Sequence, residues 1–198
     1  MSPNSIEIPT LLTERLRLRS FRGSDVDDYA AMNADPEVQR HMAGGAAGPW
    51  DRGRSWRHMA FIVGHWQLKG CGPWAVELKR DGTFVGTVGF YEPDGWPGFE
   101  LAGCLARRWW GNGYATEAAR AALDQAFTVW KRDRVISLVN PEKPALDPGG
   151  RAPRRAPGRP HRSRRPRDAG LRHRPGNLAE PAAAGISPGE LSAGKTIG

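Results

Sequence analysis

The chain has 198 residues and a formal net charge of +8, which bounds it to one domain with room for an appendage. The charge is unevenly placed. Residues 1–145 hold 18 Lys and Arg against 17 Asp and Glu, whereas residues 146–198 hold 11 against 4, so the tail supplies +7 of the +8. All 8 Trp lie at or before Trp130, so the body has material for a core and the tail has almost none. Two cysteines, Cys71 and Cys104, exclude a disulfide framework and favour a reducing compartment. No apolar run approaches the roughly 20 residues that span a bilayer, and no signal-peptide core opens the chain. The sequence reads as cytoplasmic.

In chain order, "TERLRLRSF" alternates Leu16, Leu18 and Ser20 against Arg15, Arg17 and Arg19, the pattern of a half-buried strand. "GSDVDDYAAMNADPEV" follows as a helix, with Ser24 placed as N-cap and acids in the first turn. Trp56, Met59, Phe61, Ile62, Val63 and Trp66 recur at helical spacing in the next segment, which Gly70 ends. "PWAVELKRDGTFVGTVGFYE" reads as two strands joined at Asp81-Gly82. "GFELAGCLARR" is a further strand whose Gly103 marks a bulge or bend. "GNGYATEAARAALDQAFTVW" is the clearest helix, with Ala118, Ala122, Leu123, Ala126, Phe127 and Trp130 on one stripe. "DRVISLVN" is a strand of the fully buried type. The order is βα(α)βββαβ, an α/β (α+β) pattern.

The chemistry-bearing stretch is "LARRWWGNGYATEAA", a strand running through Gly111-Asn112-Gly113 into a helix. Glycines there let successive backbone N–H groups converge on an anion at a helix N-terminus, which points to a phosphate or pyrophosphate. There is no Gly-Lys-Ser/Thr and no third glycine, so neither common nucleotide loop fits. Gly-x-Gly before a helix is equally often a plain turn.

The run Arg108-x-x-Gly111-x-Gly113 resembles the acetyl-coenzyme-A signature of the GNAT superfamily of N-acetyltransferases. The opening "TERLRLRSF…SDVDDYAAMNADPEV", the middle "HWQLKGCGPWAVELKRDGTFVGTVGF" and "WGNGYATEAARAALDQAF" are similar to its ribosomal-protein N-terminal acetyltransferase branch. The resemblance covers roughly residues 10–145. It implies a mixed sheet whose fourth strand, "FELAGCLA", and fifth, "VISLVN", splay apart to admit pantetheine. It implies that acetyl-CoA is the cosubstrate, that backbone amides from Trp109, Trp110, Gly111, Asn112, Gly113, Tyr114 and Ala115 hold its pyrophosphate, and that Arg108 opens the loop. The backbone near Cys104 and Leu105 would bind pantetheine, and Asn140 would contact the cofactor arm. An attacking amine must lose a proton, since an α-amino group has a pKa near about 8. Glu100, where relatives commonly place an acid, is the candidate base. The implied acceptor is a primary amine, on a protein N-terminus or a small molecule, and a homodimer is compatible with the family.

Other readings of these residues are bland. Glu100 could cap a strand or pair with an Arg, and Glu117 reads as a structural partner for a loop or helix. His58 and His65 share a helix face but lack the Cys or acid ligands of a metal site. Trp109 and Trp110 read as packing the loop against the core, and Cys104 as a small buried residue, not a nucleophile.

From Leu146 the chain is an Arg/Pro/Gly/Ala mixture without an aromatic residue. It reads as a disordered tail, 146–198, or in a different function class as the phosphate-binding arm of a non-catalytic nucleic-acid-binding protein. Synonymous codons for Leu146 to Gly176, read one base later, can instead spell a helix beginning Ser-Ile-Arg-Val-Ala-Glu-Arg-Leu-Gly and a strand Met-Leu-Val-Tyr-Gly-Ile, the ending the family carries. One extra base after the Ala145 codon accounts for that. On this reading the domain 1–145 lacks its C-terminal helix and last two strands. Leu146 then replaces a Ser able to protonate the thiolate. The fifth strand is an open apolar edge, and the chain as written is poorly stable and weakly active or inactive.

Overall fold

The computed structural model describes residues 6–42, 48–138 and 183–186. Seven strands form one sheet in chain order: β1 (Leu11–Leu12), β2 (Leu16–Arg19), β3 (Pro73–Leu78), β4 (Phe84–Tyr91), β5 (Glu100–Leu105), β6 (Val135–Leu138) and β7 (Ala183–Ile186). Every neighbouring pair is antiparallel except β5 and β6, which are parallel. The sheet is therefore mixed, as the resemblance implies. The helices are α1 (Val26–Asn33), α2 (Pro36–His41), α3 (Arg52–Lys69) and α4 (Tyr114–Asp124), the last continuing into a π-turn, Gln125–Val129.

The apolar stripe of α4 is buried as its spacing dictates, whereas α3 buries only half of the apolar set its spacing suggests. Along α3 the buried residues are Ser55, Met59, Ile62, His65 and Trp66, whereas Trp56, Phe61 and Val63 face outward. Gly70 closes this helix in the left-handed region at φ +71°, its N–H donating to Trp66 O at 2.9 Å. Ala118, Ala122, Leu123 and Ala126 are fully buried, so α4 lies close on the sheet. Trp66, Trp74, Phe90, Phe99 and Trp130 form one aromatic cluster, with Phe90 and Phe99 stacked at 4.3 Å. Asp81-Gly82 makes the β3–β4 turn.

Three expectations are corrected. Ser24 is no N-cap: it lies inside a 3-10 turn, Gly23–Asp25, that leads into α1. The Asp25 carboxylate instead takes the Arg22 N–H at 2.7 Å and the Arg19 guanidinium at 2.7 and 2.8 Å. Nor do the β2 arginines all face water. Arg19 is 5% exposed, held between Asp25 and Glu77, because buried charges are tolerated only when paired and hydrogen-bonded. Finally, β6 is not an open edge. Ala183–Ile186, from the segment read as a disordered tail, pairs along it in the register Val135↔Ile186 to Leu138↔Ala183, satisfying a row of N–H and C=O groups that an edge strand leaves unpaired. The rest of the Arg-rich tract, Leu146 included, lies outside the described residues. No helix among the described residues is long and apolar enough to cross a membrane.

Candidate active site

The fork between β5 and β6 sets the geometry. The register between β4 and β5 runs unbroken from Tyr91↔Glu100 to Gly86↔Leu105, but β5 meets β6 in register only at Glu100↔Ile136. Past that point the strands part, and the β6-facing edge of β5 from Leu101 to Leu105 has no strand partner among the described residues. Gly103 permits the tight β4–β5 approach: a Cβ there would sit 2.8 Å from Thr87 O and 2.9 Å from Val88 Cγ2.

Glu100 occupies the vertex. The residue is 5% exposed, its carboxylate accepting from Trp96 Nε1 in the loop before β5 at 2.8 Å and from the Leu138 N–H on β6 at 3.4 Å. Burial pushes its pKa above the ordinary carboxylate value, and the two hydrogen bonds only partly offset this. No cation pairs with it among the described residues. A buried carboxyl with a raised pKa and no cation partner is a candidate for proton transfer, whereas one paired with an arginine is held ionised.

Beyond the far end of β5 a 3-10 turn, Arg107–Trp109, leads into the glycine loop. Gly111 and Gly113 both lie in the left-handed region, at φ +77° and +76°, where a side chain would be strained. The first α4 bond is Glu117 N–H to Gly113 O at 3.0 Å, so the amides of Tyr114, Ala115 and Thr116 precede any intrahelical acceptor. No side chain caps this end. The loop and the uncapped helix thus present N–H groups and the positive end of the helix dipole together.

The other sequence-read residues divide around this frame. Trp109 packs against the core, its indole N–H buried without an acceptor among the described residues, and Trp110 donates from Nε1 to Leu105 O at 2.8 Å. Arg108 lies 3.9 Å from Asp28 and 5.6 Å over the Trp109 ring. Cys104 is half-buried with Sγ 3.7 Å from Met32 Sδ, and burial pushes its thiol up to about 12, which removes any thiolate nucleophile at neutral pH. Asn140 lies outside the described residues. Glu117 is a structural partner: it receives Thr13 Oγ1 at 2.5 Å and the Arg15 N–H at 2.9 Å. His58 Nδ1 meets the Tyr29 hydroxyl at 2.6 Å, and His65 contacts Cys71 O at 2.7 Å and the Glu92 N–H at 3.1 Å. Sequence reading missed the roles of Leu138 and Arg15, whose partners here are distant along the chain, and of Trp96, which sits in an irregular loop.

A splayed strand pair with a carboxyl at its vertex and an amide-lined glycine loop beyond it is an arrangement that suits a ligand with a long arm and an anionic end. Residues 15–146 match the family described as Acetyltransferase (GNAT) domain. An uncharacterized N-acetyltransferase, p20, from Bacillus licheniformis is 32% identical over 135 residues, covering 67% of this chain and 74% of that protein. An acetyltransferase crystal structure from Agrobacterium tumefaciens superposes with a TM-score of 0.62 at 31% identity, covering 70% and 78% of the two chains. A ribosomal alpha-N-protein acetyltransferase in complex with coenzyme A shares the fold at TM-score 0.56 and 13% identity, covering 68% and 77%. The chain belongs to the GNAT acetyltransferase family. Acetyl-CoA is the cosubstrate that family uses.

Proposed function

We propose that the chain transfers an acetyl group directly from acetyl-CoA to a primary amine, with Glu100 as the base. The observation that carries this reading is Glu100 itself, buried at the vertex of the β5–β6 fork without a cation partner. The site's residues fit the cosubstrate: the unpartnered β5 edge at Cys104 and Leu105 suits an amide-bearing arm, and the amides of the glycine loop and first α4 turn suit a pyrophosphate. Acetyl-CoA supplies the acetyl group as an activated thioester. Glu100, directly or through one water, takes the proton the amine gives up as the N–C bond forms, and the C–S bond breaks with its electron pair on sulfur, so coenzyme A leaves as the thiolate and takes a proton from solvent. Its raised pKa brings it nearer that of the amine, which eases this transfer. The resemblance of the opening segments to the ribosomal-protein branch favours a protein N-terminus over a small amine.

Two measurements test the reading on the full chain. Coenzyme A at a hundredfold excess over its Kd is expected to stabilise the fold by about 2.7 kcal/mol, seen as a raised melting midpoint. Acetyl-CoA with a panel of peptide N-termini and small primary amines is expected to give amide products by mass spectrometry, with peptides leading. An unmoved midpoint together with no acetylated amine overturns it.

A further inference from the structure

Three carbonyl oxygens around the glycine loop, those of Trp109, Trp110 and Asn112, are engaged by side chains. Asn112 Nδ2 donates to Trp109 O and to Trp110 O, each at 3.1 Å, and Arg15 Nη1 donates to Asn112 O at 3.0 Å. A trans peptide is planar with its C=O and N–H on opposite sides. Turning the Trp110 and Asn112 carbonyls toward these side chains therefore turns the Gly111 and Gly113 N–H groups away from them, and neither amide has an acceptor among the described residues. The same arginine fork reaches Glu117, with Nε and Nη2 each 2.6 Å from Oε2, while its guanidinium lies 4.6 Å over the Tyr114 ring. Glu117 stands in the first turn of α4, where a bare carboxylate would repel an incoming phosphate. Arg15 cancels that charge and aims the loop at once.

We propose that Arg15 is a positioning residue for coenzyme A: from the β1–β2 turn it holds the Asn112 carbonyl back and neutralises Glu117, so that the loop amides face the pyrophosphate. The proposal rests on the acetyl-CoA reading above. Arg15 acts through the loop, and the two ligands that separate this role from a general structural one are coenzyme A and pantetheine, which lacks the pyrophosphate.

The experiment is calorimetric titration of the full-length protein with each ligand, for wild type, Arg15→Gln, Arg15→Lys and Asn112→Ala. Arg15→Gln is expected to weaken coenzyme A binding tenfold or more and leave pantetheine unchanged. Arg15→Lys keeps the charge but loses the planar fork, so it falls between the two. Asn112→Ala, a change in an exposed loop, is expected to weaken coenzyme A in the same selective way and serves should the arginine variants fail to fold. Unchanged coenzyme A affinity, or equal losses for both ligands, overturns the proposal. A wild type that binds coenzyme A but acetylates no amine sinks the transfer reading and leaves this one standing. A wild type that binds neither ligand sinks both.

Discussion

Glu77 on β3 and Glu100 on β5 lie in one sheet at nearly the same depth, 1% and 5% exposed, and have opposite surroundings. Glu77 receives Arg17 Nη1 at 2.6 Å and Arg19 Nε at 2.5 Å, with Arg22 at 3.8 Å. Glu100 receives an indole N–H and a backbone amide. Burial disfavours the charged form of both. At Glu77 the arginines overcome it and hold the carboxyl below its ordinary pKa; at Glu100 two neutral donors do not, and its pKa rises. Depth alone therefore does not make a carboxyl structural or reactive. The charge of its neighbours decides.

Glu100→Gln is the strongest way to break this contrast. As the base, Glu100 is expected to contribute about 10²–10⁴ to kcat, so the variant should lose that much while remaining folded. It should also melt higher than wild type at neutral pH. Because the folded pKa is raised, the unfolded chain ionises first near 4.5; the stability Glu100 contributes is full below that pH and is lost as pH rises through its folded value. A neutral Gln removes that loss. Activity within about threefold of wild type would end the catalytic assignment.

Glu77→Gln should do the reverse, costing about 3 kcal/mol in urea denaturation at neutral pH, because Arg19 is then left buried with Asp25 as its one remaining anion. The sign with pH also inverts. A depressed folded pKa gives stability that is present above about 4.5 and is lost as pH falls through the folded value, so the variant and wild type should converge in acid. Turnover per folded molecule should hold. A variant as stable as wild type at neutral pH would show that the arginines find other partners and that the contrast is superficial.

What the sequence made legible was local or motif-borne. Ala118, Ala122 and Leu123 announce the buried face of α4 through period alone, and Gly111 and Gly113 announce a turn whose φ only glycine adopts without strain. Family resemblance placed Glu100 on its strand. Period two misplaced Arg19 because its partners, Asp25 and Glu77, arrive from elsewhere in the fold and convert an outward position into a buried one. The pairing of Ala183–Ile186 with β6 was illegible for a similar reason: an Arg- and Pro-rich surround hides a strand that needs only four backbones in register. Arg15 and Glu117, about a hundred residues apart, meet only once β2 lies beside α4.

Trp96→Phe gives the smallest and most selective test. Trp96, 41% exposed in the loop before β5, orients Glu100 and favours its ionised form through one hydrogen bond. Phe keeps most of the ring and deletes the donor. Glu100 then retains the Leu138 N–H, so the rate on the alkaline side of the acid limb should fall by no more than about threefold. The acid limb of kcat/KM should move to higher pH, since the carboxylate has lost a donor that stabilised its charge. A limb that stays in place while the whole profile drops would mean that Trp96 only packs the loop. A limb that moves to lower pH would mean that the group titrating there is not Glu100.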